Sequence, residues 1–197
     1  MRNATIVGER LYLRPLEAED AEPIARAFAS ETETFFDRGR LPASPLGFAH
    51  AITAPAPGHG PPEVVDFAVC RRADDRLVGS VAILDLDWVN RTGETASHLL
   101  GPEFRGQGYG TEAKHLLLEY AFDRLGLHAL TSWVWEPNAR SAAALAKQGY
   151  RPAGRVRWRD IKGGVYRDSL IFDVLRADWV AARDAWRAAT AAASVPR

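Results

Sequence analysis

The chain reads as an α/β domain built around a sheet of mixed strand direction. Three β-rich runs follow one another between residues 64 and 100 with only turn residues between them, after 111 helical and β-rich segments alternate, and the chain closes on a helical apolar stripe. At 197 residues, 47% of them hydrophobic, it has the size of one domain spanning 1–197.

The elements follow in order. Residues 7–14 read as a strand, and 17–30 as a helix with Ala21, Ile24, Ala25, Phe28 and Ala29 at helical spacing. The stretch 41–62, rich in Pro, Gly and Ala, reads as a loop or a broken helix. The runs 64–71, 77–89 and 92–100 form the simplest meander, the first two joined by the turn at Ala73, Asp74 and Asp75. Residues 111–124 form an apolar-faced helix, 129–135 a strand and 138–147 a short helix. A hairpin of 150–158 and 165–175 turns around Lys162, Gly163 and Gly164. Leu175, Trp179, Ala182, Trp186, Ala189 and Ala193 then mark a C-terminal helix; its stripe covers the domain's own sheet, with a homodimer seam as the alternative.

Composition removes several functions. Lysine and arginine number 25 against 25 acids, so there is no cationic surface for a nucleic-acid backbone. With one cysteine, Cys70, and five dispersed histidines, no metal site is expected. No apolar run suits a leader or a membrane span, which leaves a cytoplasmic protein as the expectation.

The chemistry concentrates at Leu99–Glu112, where a strand runs through Arg105, Gly106, Gln107, Gly108, Tyr109 and Gly110 into a helix. Glycines there allow a tight turn that aims successive N–H groups outward beside a helix N-terminus, an anion cradle. The plainer alternative is a tight strand-to-helix turn. A Walker loop is excluded by the lack of Gly-Lys-Ser/Thr, and a dinucleotide loop by the preceding meander.

Arg105, Gly108 and Gly110 resemble the Arg/Gln-x-x-Gly-x-Gly/Ala motif of the GCN5-related N-acetyltransferase family. Trp135 to Ser141, followed by Lys147-Gln148-Gly149-Tyr150, is similar to the family's Asn-led helix and its entry to the next strand. Ser141, residues 166–179 and Leu11–Leu16 are similar to the RimJ/RimL-like branch. The resemblance implies a mostly antiparallel central sheet with splayed fourth and fifth strands, and acetyl-CoA as acyl donor without a metal. Its pyrophosphate would lie on the amides of Arg105 to Thr111, Leu99 and Leu100 would offer the backbone edge to the pantetheine arm, and Asn138 would bond that arm or cap its own helix.

The implied activity is an N-acetyltransferase acting on a primary amine, either a polypeptide N-terminus or a small aminated metabolite or antibiotic, by direct transfer in a ternary complex. A non-catalytic acyl-CoA sensor is the alternative. Glu94, eleven residues before Arg105, is the first candidate base; the branch places its acid at Thr95, one residue later and on the other sheet face, and His98 and an ordered water chain are substitutes. The family's acid tyrosine is replaced by Leu145, leaving Ser141 as the hydroxyl near the sulfur. Cys70, remote from both motifs, reads as a buried structural thiol. In this fold substrate selection falls to Glu31–Asp66, where Phe35 and Phe36 line a pocket or anchor the loop to the core, and to Arg155–Arg167, where Asp160 stands among cations. Arg155, Arg157 and Arg159 alternate with Val156 and Trp158 as the solvated face of a half-buried strand.

Overall fold

The computed structural model describes residues 1–30, 44–54, 60–162 and 164–193. Its single sheet has eight strands in the order β1-β2-β3-β4-β5-β6-β8-β7. The strands are β1 (Ile6–Val7), β2 (Leu11–Pro15), β3 (Val65–Arg71), β4 (Leu77–Asp87), β5 (Thr92–Leu99), β6 (Ala129–Trp135), β7 (Arg151–Lys162) and β8 (Val165–Leu175). The helices are α1 (Ala21–Ser30), α2 (Pro45–Thr53), α3 (Tyr109–Glu119), α4 (Ala139–Lys147) and α5 (Arg176–Ala193).

The expected first strand is two strands. Gly8 N–H donates to Leu11 O at 2.8 Å and closes a hairpin; a Cβ on Gly8 would meet the Glu112 carboxylate at 2.8 Å, so glycine admits that close approach. In the Pro-rich stretch a helix forms as α2, started by the Ser44 hydroxyl, which accepts from Leu46 N–H at 3.2 Å, and by Pro45 in the first turn. Phe35 and Phe36 lie outside the described residues.

The meander forms as read, β3, β4 and β5 pairing antiparallel in sequence. One face of it carries Val69, Val81 and Ile83, which pack against Ala113, Leu116 and Leu117 of α3 in the main core. Helix α3 extends past Glu119 into a wider π-type turn over Tyr120–Arg124. Trp179 of α5 is fully buried against this core, 5.5 Å from the Phe122 ring, and Trp186 stacks on His115 at 4.8 Å. The C-terminal stripe therefore covers the domain's own interior. Cys70 is buried with Tyr12 and Ala68 in a smaller cluster, where burial pushes its thiol up.

The last hairpin departs from the alternation expected of it. The register shifts between Val156 and Asp160, Trp158 takes φ of +52°, and its ring is 73% exposed instead of covering the sheet. The bulge is held by Asp168, which accepts from Trp158 N–H at 2.8 Å. Arg155, Arg157 and Arg159 are exposed as read, but so are Val156 and Trp158.

β5 and β6 form the one parallel pair among the described strands, and it lasts three residues. Thr92, Gly93 and Glu94 pair with Ala129, Leu130 and Thr131, after which the strands separate. Because the expected first strand is divided, β5 and β6 are the fourth and fifth strands of the sequence reading.

Candidate active site

Where β5 and β6 part, a cleft of 510 Å³ opens between β5, the first turn of α3 and the inner face of α4. At the point of parting, side chains bridge the two strands. Thr95 Oγ1 lies 2.6 Å from the Tyr150 hydroxyl, and Ser132 Oγ donates to Thr95 O at 3.0 Å, so hydroxyls take over where the ladder stops. Burial pushes the Tyr150 phenol well above its ordinary value.

The ladder fixes which atoms of β5 face the gap. Leu100 N–H donates to Val78 O at 3.0 Å, and in an antiparallel pair alternate residues bond the same neighbour. The amides and carbonyls of Ser97 and Leu99 consequently point away from β4, toward the opening. Both residues line the cleft and Leu100 does not, which corrects the expected edge: Ser97 and Leu99 supply it, and the Leu100 amide is spent on the sheet. Strand parity was the available signal for Ser97.

Across the top lies the glycine loop. Gly106 and Gly108 hold φ of +75° and +80°, a left-handed conformation that L-residues adopt only with strain, and Gly108 forms the N-cap of α3. Glu112 N–H is the first to find its helical partner, Gly108 O at 3.1 Å; the amides of Tyr109, Gly110 and Thr111 belong to the first turn, which has no intrahelical acceptor. Gly110 does not need its glycine for the turn. It sits inside α3 with ordinary φ, and a Cβ there would only touch Leu99 Cδ1 at 3.7 Å. Arg105, Gly106, Gly108, Tyr109, Gly110 and Thr111 line the cleft; Gln107 does not, its carbonyl being turned to Arg10.

A brace missed in the sequence holds this loop. Glu112, 1% exposed, accepts from Arg10 N–H at 2.7 Å, Leu11 N–H at 3.0 Å and Arg10 Nε at 3.0 Å. The Arg10 guanidinium also donates to Gln107 O at 2.8 Å and lies 5.1 Å from the Tyr109 ring centroid. A buried carboxylate thus ties β2 to the N-terminus of α3, with the dipole in its favour. An acid in a helix's first turn is a detectable signal, but its partner is about a hundred residues away.

On the opposite wall Asn138 caps α4, its Oδ1 accepting from Ser141 N–H at 3.1 Å. Asn138 and Ser141 both line the cleft, and so do His98, Leu145 and Gln148. Gly149 at φ of +92° lets the chain pass under α5, since a Cβ there would collide with Asp178 O at 2.6 Å.

Glu94 is on the other side of the sheet. Thr95 is paired with Ile83 and faces the core side with α3, so Glu94, paired with Leu84 and Thr131, faces away, and it is absent from the cleft lining. Burial and nearby Asp85 raise its carboxyl, opposed by Arg159 and Lys114. Asp85 reaches that neighbourhood from an irregular register in β4 with φ of +49°. On the same face Arg159 stacks over Trp133 at 4.0 Å. Asp160 is spent within the hairpin, accepting from the Ser169 hydroxyl, and does not line the cleft. Among the described residues no group of acids, histidines or cysteines could hold a metal ion, and no helix is long and apolar enough to cross a membrane.

Residues 10–151 match the profile of the family described as the acetyltransferase (GNAT) domain. The chain belongs to this family. The acetyltransferase is 29% identical to the probable N-acetyltransferase YjcK of Bacillus subtilis over 178 residues, 87% of this chain and 97% of that one. It is 25% identical over 108 residues to the spermidine N(1)-acetyltransferase of Escherichia coli, covering 55% and 58% of the two chains. A crystal structure of a putative acetyltransferase superposes with a TM-score of 0.75 at 22% identity, covering 95% of this chain and 97% of that one; it shares the fold. The chain is an N-acetyltransferase, and its mixed sheet, flanking helices and C-terminal helix are those of this family.

Proposed function

We propose that the enzyme moves the acetyl group of acetyl-CoA to a primary amine that enters from the Glu94 face, in one step within a ternary complex. The observation that carries the reading is the gap between β5 and β6, which lies beside the first-turn amides of α3 on one face of the sheet, with Glu94, the last residue of β5 paired with β6, on the other face. The cleft fits the donor: first-turn amides of α3 suit a pyrophosphate, the free edges of Ser97 and Leu99 suit an amide-bearing arm, and Asn138 retains its Nδ2 for that arm. When bound, acetyl-CoA supplies the activated acyl carbon. Glu94 takes the proton of the attacking amine, an acidic neighbourhood with Asp85 favouring a cationic acceptor. The Ser97 or Leu99 amide stabilises the charge that gathers on the carbonyl oxygen.

The acceptor on this reading is a small aminated metabolite; the similarity to a spermidine acetyltransferase and the paired acids favour it. A polypeptide N-terminus, the acceptor implied by the RimJ/RimL-like features, is the second reading, favoured by Ser141 on the cleft wall. Incubation with acetyl-CoA and a panel of polyamines, aminated metabolites and peptides, following free thiol, tests both. Polyamine-dependent thiol release is expected. Peptide-only release selects the second reading, and CoA binding without release across the panel selects a sensor over an enzyme of this specificity.

A further inference from the structure

Lys114 is the one described lysine inside the cleft's deep wall, and the mechanism above leaves it unused. It is 2% exposed, yet it lines the cleft. Its ammonium donates no hydrogen bond to a described residue, an arrangement that is costly for a buried cation unless a ligand meets it. Its position is defined by the helix. Gly110 and Lys114 are four residues apart on α3 and share one face, so Lys114 stands one turn below the glycine loop, deeper along the same wall. Across from it α4 presents Ser141 and the buried, apolar Leu145, where the family's acid tyrosine is missing.

We propose that Lys114 is the acid that serves the departing thiolate, on the core side of the sheet, opposite Glu94. This inference rests on the acetyl-CoA reading. As the acceptor nitrogen bonds to the acyl carbon, the carbon–sulfur bond breaks and its electron pair stays on sulfur; the Lys114 ammonium gives that sulfur its proton, leaving a neutral amine and a free thiol. Glu94 takes the proton lost by the acceptor and releases it to solvent, and Lys114 recovers a proton from solvent as the product leaves, so no net proton is gained or lost.

The charges around Lys114 favour such a role. Burial pulls its pKa down to about 7, countered by Glu94 through the gap, so it both holds and releases a proton near neutrality. Arg105, Arg140 and Lys147 line the same cleft from the loop and from α4, and His115 beside it on α3 is pulled down to about 4 by burial, with Arg187 and Arg183 adding to the effect. Glu94 and Lys114 thus lie on the two sides of the opening, one for the acceptor and one for the leaving group.

The test reads the thiol itself. CoA bound to the wild-type enzyme and to Lys114→Met is titrated by thiolate absorbance, with desulfo-CoA as the blank, and the folding of both proteins is checked by thermal melting. With Lys114 present the thiol and the ammonium should titrate as one coupled pair, part of the thiolate signal appearing near the lysine's own value of about 7 and well below its position in the variant. Equal thiol titration with retained CoA binding would overturn the assignment while leaving the acetyl-CoA reading intact; failure of the wild-type chain to bind CoA would overturn both. Intact-mass measurement after acetyl-CoA treatment supplies a second arm: acetylation of Lys114 would make it a nucleophile and refute its role as acid.

Discussion

Alanine at each of the three glycines of the loop before α3 separates backbone strain from steric contact. At Gly108, φ of +80° costs an L-residue about 1–2 kcal/mol, and the new Cβ would lie 3.1 Å from Arg10 Nη2, a guanidinium held by Glu112 and Gln107 O. The total is about 2 kcal/mol, or a fall in melting temperature of roughly 4–8 °C for a domain of this size. Gly106→Ala meets nothing within 4 Å and carries only the strain, about 1 kcal/mol. Gly110→Ala lies in helical geometry with its nearest neighbour at 3.7 Å, so it should stabilise the fold by up to about 1 kcal/mol. Urea unfolding of the three variants orders them 108, 106, 110 in loss of stability. If Gly108→Ala and Gly110→Ala shift the midpoint in the same direction and by similar amounts, the conformational argument is wrong.

The remaining expectations concern charge. Glu94→Gln should lower turnover and remove the acidic limb of the kcat/KM profile; because burial and Asp85 raise this carboxyl, the wild-type limb should lie above the ordinary carboxylate range, activity falling as pH drops through it. A wild-type profile in the variant would dismiss Glu94 as base. Glu112→Ala leaves the Arg10 and Leu11 amides without their acceptor and should cost about 2–4 kcal/mol by urea unfolding, with Arg10→Ala costing less because both amides keep Glu112. Lys114→Met should be more stable than wild type by up to roughly 4 kcal/mol at and below pH 7. The folded pKa of about 7 lies below the unfolded value of about 10.4, so wild-type stability climbs with pH across that interval and the advantage of the variant vanishes at its top. A pH-independent difference in urea midpoint would contradict the burial of a charged lysine.

Local chemistry was legible and long-range packing was not. Gly108 announces the start of α3, and Asn138 announces α4, because each feature is written within a few residues. The edge of β5 was misplaced by one residue, since a period of two gives no phase until a partner strand supplies it; the Leu100 bond to Val78 does so. Nothing within a few residues of Lys114 marks it, and only the packing of α3 against the opened sheet buries it. The Arg10–Glu112 brace joins residues with no sequence relation, and Trp158 is turned outward by a bulge that its alternating neighbours conceal.

The brevity of the β5–β6 contact has a mechanical meaning. β1 to β5 form one antiparallel ladder and β6, β8 and β7 another, so the sheet is two panels meeting along a three-residue seam. A molecule lying in the cleft would contact β5 on one panel and α4, which follows β6, on the other, and so would rivet them together. Donor occupancy would then govern the stiffness of the whole molecule, and the acceptor would meet a rigid frame only after the donor is in place.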